Sequence, residues 1–188
     1  AKTKFPEIEK KSKEAVADLN NYAAIDKVIS ENGIVLSKKL SELSKDDLKG
    51  VRVEDDKFTG ISFLTPNRFG TSKYAYLSIK EGILNMRLVM EYSGYNWIFF
   101  DKVIVLYNGK KIEYNAGKTE TYVGKGYVTE TSDVKCSPEM IEALREIINT
   151  EKVDVRLSGD SKVDDFELSD KTKKNLKQTL ELYDKLKK

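Results

Sequence analysis

Residues 73–92 read KYAYLSIKEGILNMRLVMEY, and their spacing decides what kind of fold the chain adopts. Ala75, Leu77 and Ile79 alternate with Tyr74, Tyr76 and Ser78. After Glu81-Gly82 the apolar set resumes at Leu84, Met86, Leu88 and Met90, interleaved with Asn85, Arg87 and Val89. Side chains two apart share one face of a strand, so the stretch predicts an antiparallel hairpin with one buried face.

The same period runs outward from Val51 to the strand GYVTETSDV at 126–134. Within WIFFDKVIVLYNGKKIEY, residues 97–114, Asn108-Gly109 suits a two-residue turn that needs positive φ at both positions. Asp101 and Lys102 interrupt the apolar run there and predict an edge or a bulge. GKTETYVGKG at 117–126 has six residues between Gly117 and Gly124 where a phosphate-binding loop needs four, and Gly126 stands where that loop needs Ser or Thr. It reads as a hairpin tip.

Helical spacing flanks this β region. Ile8, Ala15, Val16, Leu19, Tyr22 and Ala23 share a face and predict a helix over 7–31, with Gly33 as its stop. Ser44, Asp46, Asp47 and Gly50 predict a short capped helix. CSPEMIEALREIINTEK, from Cys136, predicts a helix over 138–149 with Ser137 as cap and Pro138 in the first turn. VDVRLSGDSKVDDFEL, from Val153, alternates like a hairpin. A final helix, capped by Ser169, then buries Leu176, Leu180, Tyr183 and Leu186. The expected fold is α+β in one domain over 1–188: a helical part at 1–50, then a largely antiparallel twisted sheet, sandwich- or barrel-like, of about six to eight strands. The N-terminal, 138–149 and C-terminal helices pack on it.

Composition narrows the chemistry. The chain has 33 basic and 31 acidic residues, mixed along its length, whereas a nucleic-acid binder concentrates its cations, so no nucleic-acid partner is expected. Histidine is absent, which removes Ser-His-Asp and Cys-His catalysis and histidine-ligated metals. A single cysteine, Cys136, allows neither an intramolecular disulfide nor a cysteine zinc site. Its place before a helix could lower its pKa, but with no imidazole nearby an incidental thiol is the simpler reading. Asp160, Asp164 and Asp165 lack the alternating ligand pattern and central glycine of a calcium loop. No cofactor motif is present, and no run of 18 apolar residues could span a membrane. The opening AKTKFPEIEKKSKEAV has no apolar signal region, which fits a cytoplasmic protein or an exported one already trimmed.

Four side chains stand out as candidate binding residues: Tyr74, Tyr76, Arg87 and Arg156. Tyr74 and Tyr76 lie opposite the apolar set of their strand. If that face is open it is a recognition surface; if a helix covers it, as three available helices make the commoner expectation, the rings are core. Arg156 faces the side of its strand that meets Asp165 and Glu167 in the hairpin, so a cross-strand ion pair accounts for it without a catalytic role.

The segments WIFFDKVIVLYNGKK, GYVTETSDV, EMIEALREI, KVDVRLSGD and DFELSDKTKKNLKQTLELYDKL together resemble a recurrent module of uncharacterised exported bacterial proteins and lipoproteins. The resemblance covers residues 97–188. It rests on a strand opening with Trp97, the NGK hairpin, the RLSGD turn and a helix entered through DFELS. It implies an extracytoplasmic protein, secreted or lipid-anchored, with a cytoplasmic location as the alternative, and it carries no catalytic residues. The expected function is non-enzymatic binding of a protein or cell-surface partner through sheet-face tyrosines or an edge strand. The alternative is a histidine-free enzyme using a carboxylate pair or a Ser-Lys pair.

Overall fold

A computed structural model describes residues 34–35 and 40–187, so the helix expected over 7–31 and its stop at Gly33 lie outside the described residues. In chain order the strands are β1 (Ile34–Val35), β2 (Val51–Asp56), β3 (Ile61–Pro66), β4 (Tyr74–Lys80), β5 (Ile83–Gly94), β6 (Lys102–Tyr107), β7 (Lys110–Asn115), β8 (Glu120–Val123), β9 (Val128–Lys135), β10 (Val153–Ser158) and β11 (Val163–Glu167). Helix α1 (Pro138–Ile147) precedes β10, and α2 (Asp170–Lys187) follows β11. The architecture is α+β, as expected. The described strands form two sheets, ordered β2-β3-β4-β5-β9-β8 and β11-β10-β6-β7, with β1 paired to the start of β5. Every pairing is antiparallel.

The hairpin at 73–92 forms in the register that its alternation requires, with Leu77 opposite Met86 and Tyr76 opposite Arg87. Its turn residues Glu81 and Gly82 both have positive φ, as do Asn108 and Gly109 between β6 and β7. That conformation matches the twist of the flanking strands. Ser137 Oγ accepts the Met140 N–H at 3.2 Å ahead of Pro138, and Ser169 Oγ accepts the Thr172 N–H at 3.2 Å. Both helices therefore start where the sequence places their caps.

Leu77 and Met86 of the first sheet, Val153 and Leu157 of the second, and Ile147, Leu176 and Leu186 of the helices are essentially inaccessible within one continuous core. A void of about 20 Å³ among Leu88, Val105, Leu144 and Leu176 marks where both sheets and both helices meet. Truncating one of these large side chains to Ala would cost about 2–5 kcal/mol.

Three local expectations are corrected. Residues 45–50 form successive turns, not a helix. The capping box is made, since Asp47 N–H donates to Ser44 Oγ at 3.1 Å and Ser44 N–H to Asp47 Oδ2 at 2.9 Å, but Gly50 at φ 74° ends the turn and β2 follows. Strand number is eleven among the described residues, because the two-residue β1, the largely exposed β2 and the fully exposed β8 add three strands to the eight expected at most. Asp101 and Lys102 mark neither an edge nor a bulge: β6 begins at Lys102 and lies between β10 and β7, and the apolar run at 97–100 is a strap leading into it from the first sheet. Glu130, with no exposed surface, holds that strap by accepting the Ile98 and Phe99 N–H groups at 2.7 and 2.9 Å on Oε1 and the Phe100 N–H at 3.0 Å on Oε2. The turn after β10 closes over it so tightly that a Cβ on Gly159 would stand 1.9 Å from the Ile98 carbonyl oxygen.

Strands β3 and β4 pair only as far as Leu64 opposite Leu77 and then splay apart. Two fully buried polar residues of α2 fill the notch. Asn175 Oδ1 accepts the Ala75 N–H at 2.7 Å, and Thr179 Oγ1 donates to the Ala75 carbonyl at 3.1 Å. Asn175 Nδ2 also reaches the carbonyls of Pro66 and Asn67 at 3.5 and 3.4 Å. Side chains one helical turn apart thus replace the missing strand, satisfying backbone groups that would otherwise be buried without partners.

Candidate functional site

The outer face of the first sheet is set by the same alternation that builds the core. With Ala75 and Leu77 inward, Tyr74 and Tyr76 point away from both helices and are only half-buried. Across the face, Phe63 lies 6.1 Å from Tyr76 and Tyr74 lies 6.3 Å from Tyr76, centroid to centroid, with interplanar angles of 53° and 38°. Among the described residues no helix covers these rings; the expected N-terminal helix lies outside the described residues. The rings floor an open groove of about 670 Å³.

One wall of the groove is the splayed loop after β3. Arg68 lays its guanidinium over the Tyr74 ring at 4.4 Å, and Lys174 of α2 lies over Phe69 at the same distance. Phe69 has φ 53° and donates its N–H to Asn67 Oδ1 at 2.8 Å. Behind the loop, the hydroxyls of Thr71 and Thr172 are 2.9 Å apart. The loop is therefore fastened to α2 at both the Asn67 and Thr71 ends.

At the opposite end, Asp133 of β9 gathers two of the sequence candidates. It accepts the Tyr76 hydroxyl at 2.6 Å on Oδ2 and Arg87 Nε at 2.8 Å on Oδ1, while Arg87 Nη2 donates to the Asp133 carbonyl at 2.9 Å. Burial, and then the Asp133 carboxylate, push the Tyr76 phenol well above the ordinary tyrosine range. For Arg87, burial opposes the cation, but Asp133 and Tyr76 outweigh it and raise the pKa. Glu54, the other carboxylate of the described lining, is paired with Arg52. Both groove carboxylates are thus already held by arginines, an arrangement suited to shaping a surface rather than to exchanging protons with a substrate.

Tyr74, Tyr76 and Arg87 are brought together; Arg156 is not with them. It sits on the second sheet, opposite Asp165, with Nε to Oδ1 and Nη2 to Oδ2 both at 2.6 Å. Each partner raises or lowers the other's pKa in the sense of an ion pair, and their side chains are 50% and 54% exposed. Cys136 is buried, and burial pushes its thiol up to about 12, which removes it as a nucleophile. Among the described residues no group of acidic or cysteine side chains is placed to hold a metal ion, and no helix is long and apolar enough to cross a membrane.

Sequence reasoning missed Phe63, Arg68 and Asp133. Phe63 and Asp133 carry a readable signal, since each lies on the outward register of its strand. Arg68 carries none, because its position depends on the splay of β3 from β4.

Other tyrosines of the aromatic region go elsewhere. Tyr107 and Tyr114 pack into or against the core, while Tyr95, Tyr122 and Tyr127 are exposed around the far end of β5, β8 and β9. No protein-family model, curated protein or solved structure matches the chain.

Proposed function

We propose that the protein is a non-enzymatic binding module of exported bacterial type, which captures a cell-surface or extracellular partner in the tyrosine groove of its first sheet. The observation that carries this reading is the placement of Tyr74 and Tyr76 on the floor of an open groove, on the face that neither α1 nor α2 covers. Tyrosine supplies large apolar area and a hydroxyl at low conformational cost, and it is enriched where binding energy concentrates. The groove's polar groups are held in place before any ligand arrives. Tyr76 and Arg87 are both fixed by Asp133, and Arg68 rests on Tyr74. Such preorganisation lowers the ordering cost of binding. The absence of histidine and the pairing of both groove carboxylates also fit a module that holds rather than transforms its partner.

The test is binding of the purified chain to immobilised bacterial envelope fractions, comparing the wild type, the double variant Tyr74→Ala/Tyr76→Ala and the distant variant Arg156→Ala. The double variant should lose capture while keeping its far-ultraviolet spectrum, and Arg156→Ala should bind like the wild type. A folded double variant that binds unchanged refutes the reading.

A further inference from the structure

We infer that the groove is built for an anionic saccharide, whose sugar rings pack on Phe63 and Tyr76 while a carboxylate or sulfate group is taken by Arg68. The inference rests on the binding-module reading and names its ligand class.

Charge bookkeeping within the groove points to the anion. Arg52 is occupied by Glu54, and Arg87 by Asp133. Among the described residues neither Arg68 nor Lys174 is bonded to a carboxylate, and each rests on a ring at 4.4 Å, Arg68 on Tyr74 and Lys174 on Phe69. A guanidinium held over a ring still has N–H groups to offer, and their fork matches a carboxylate or sulfate. The wall carrying Arg68 is thus a positioned cation with no acceptor among the described residues.

Ring geometry points to the saccharide. Phe63, Tyr76 and Tyr74 step across two strands at 6.1 and 6.3 Å, tilted successively by 53° and 38°. Sugar rings present C–H faces to such rings, and their hydroxyls can pair with Thr65 and Asn67 at the rim. The volume of about 670 Å³ suits a ligand of a few rings.

An acidic peptide is the weaker fit. The rings stand on β3 and β4, whose backbone groups are taken up by pairing with β2, with each other and with β5, so an extended peptide could join only the outer edge of β2 and not the strands that carry the rings. Nucleic acid is disfavoured by a net charge of only +2 and by the arginine–carboxylate pairs that neutralise most of the groove.

Isothermal titration of the full chain tests the inference with four probes: a short oligogalacturonate, a short heparin fragment, a neutral maltooligosaccharide and an oligoglutamate. At least one acidic saccharide should bind; because heparin carries carboxylates as well as sulfates, it is binding of the oligogalacturonate that shows a carboxylate alone to suffice. The neutral sugar and the oligoglutamate should each bind at least roughly tenfold more weakly. Arg68→Ala should weaken acidic-sugar binding by roughly tenfold or more, as loss of a charge-assisted hydrogen bond does. Tyr76→Leu, which keeps apolar volume on the floor but removes the aromatic face, should weaken it as well.

Equal binding of oligoglutamate, unchanged affinity in Arg68→Ala, or no binding of either acidic sugar overturns the inference. The two readings fail separately. Envelope capture that the tyrosine double variant abolishes but neither acidic sugar competes leaves the module standing without its saccharide. Capture that survives the double variant removes the module itself.

Discussion

Tyr76 reaches Asp133 across an intervening strand: the hydroxyl on β4 meets the carboxylate on β9 at 2.6 Å, with β5 and its Arg87 between them. The bond ties three strands together on the groove floor and fixes the ring. Tyr76→Phe should therefore cost about 1 kcal/mol, the net worth of one hydrogen bond. It also has a pH signature. Because the folded phenol titrates above its ordinary value, its contribution to stability is complete below the unfolded tyrosine pKa of about 10 and is lost as pH rises toward the folded one. Urea midpoints should fall above pH ~10 in the wild type, and less steeply in Tyr76→Phe. Equal slopes would show that the phenol is not held.

Asn175→Ala should be markedly more damaging than its place on a lysine-rich helix suggests. The change strands the Ala75 N–H inside the protein and frees the Asn67 end of the groove loop, at a cost of about 2–3 kcal/mol. Thr179→Val keeps the shape and removes the hydroxyl that serves the Ala75 and Asn175 carbonyls, costing about 1 kcal/mol. Hydrogen exchange at the Ala75 amide reads the first effect directly. Protection that persists in Asn175→Ala would refute the splint.

Glu130→Gln is nearly isosteric yet replaces one acceptor oxygen with a donor facing a backbone N–H. Loss of that bond in a site with no solvent access should cost about 2–4 kcal/mol. Trp97, the sole tryptophan, stacks on Phe99 with centroids 5.6 Å apart, so its fluorescence reports the strap. The emission should change along with the stability. A variant that matches the wild type in both would mean that the carboxyl does not anchor the strap.

Arg156→Ala should leave the urea midpoint and envelope binding where they are, because a half-exposed pair in water contributes little despite its good geometry. High salt should screen away what little the pair contributes. A large drop in midpoint would contradict the exposed pairing, and abolished binding at unchanged stability would make Arg156 a recognition residue.

What was readable in the sequence was local. The Ala75-Leu77-Ile79 alternation, the Asn108-Gly109 turn and the Ser137 and Ser169 caps each act within a few residues, and each appears where it was expected. Polar groups that serve distant backbone were not readable. Val128, Glu130 and Ser132 face inward on β9, an unpromising set until Glu130 meets the strap and Ser132 Oγ donates to the Ala116 carbonyl at 2.6 Å. Asn175 and Thr179 likewise look like surface positions beside Leu176 and Leu180. Arg68 depends on where β3 leaves β4, which no periodicity encodes.

The splint at Ala75 also orders events in time. Its bonds join residues 100 and 104 positions apart, whereas β4 and β5 close over a two-residue turn. Hairpin closure takes on the order of microseconds, but ribosomal synthesis delivers about 5–20 residues per second, so Asn175 arrives on the order of ten seconds after Ala75. Throughout that interval a nascent chain carries the tyrosine hairpin without the fastened Arg68 loop. The groove is thus among the last features of the molecule to mature, and a chain arrested before Asn175 would display the rings with no wall beside them.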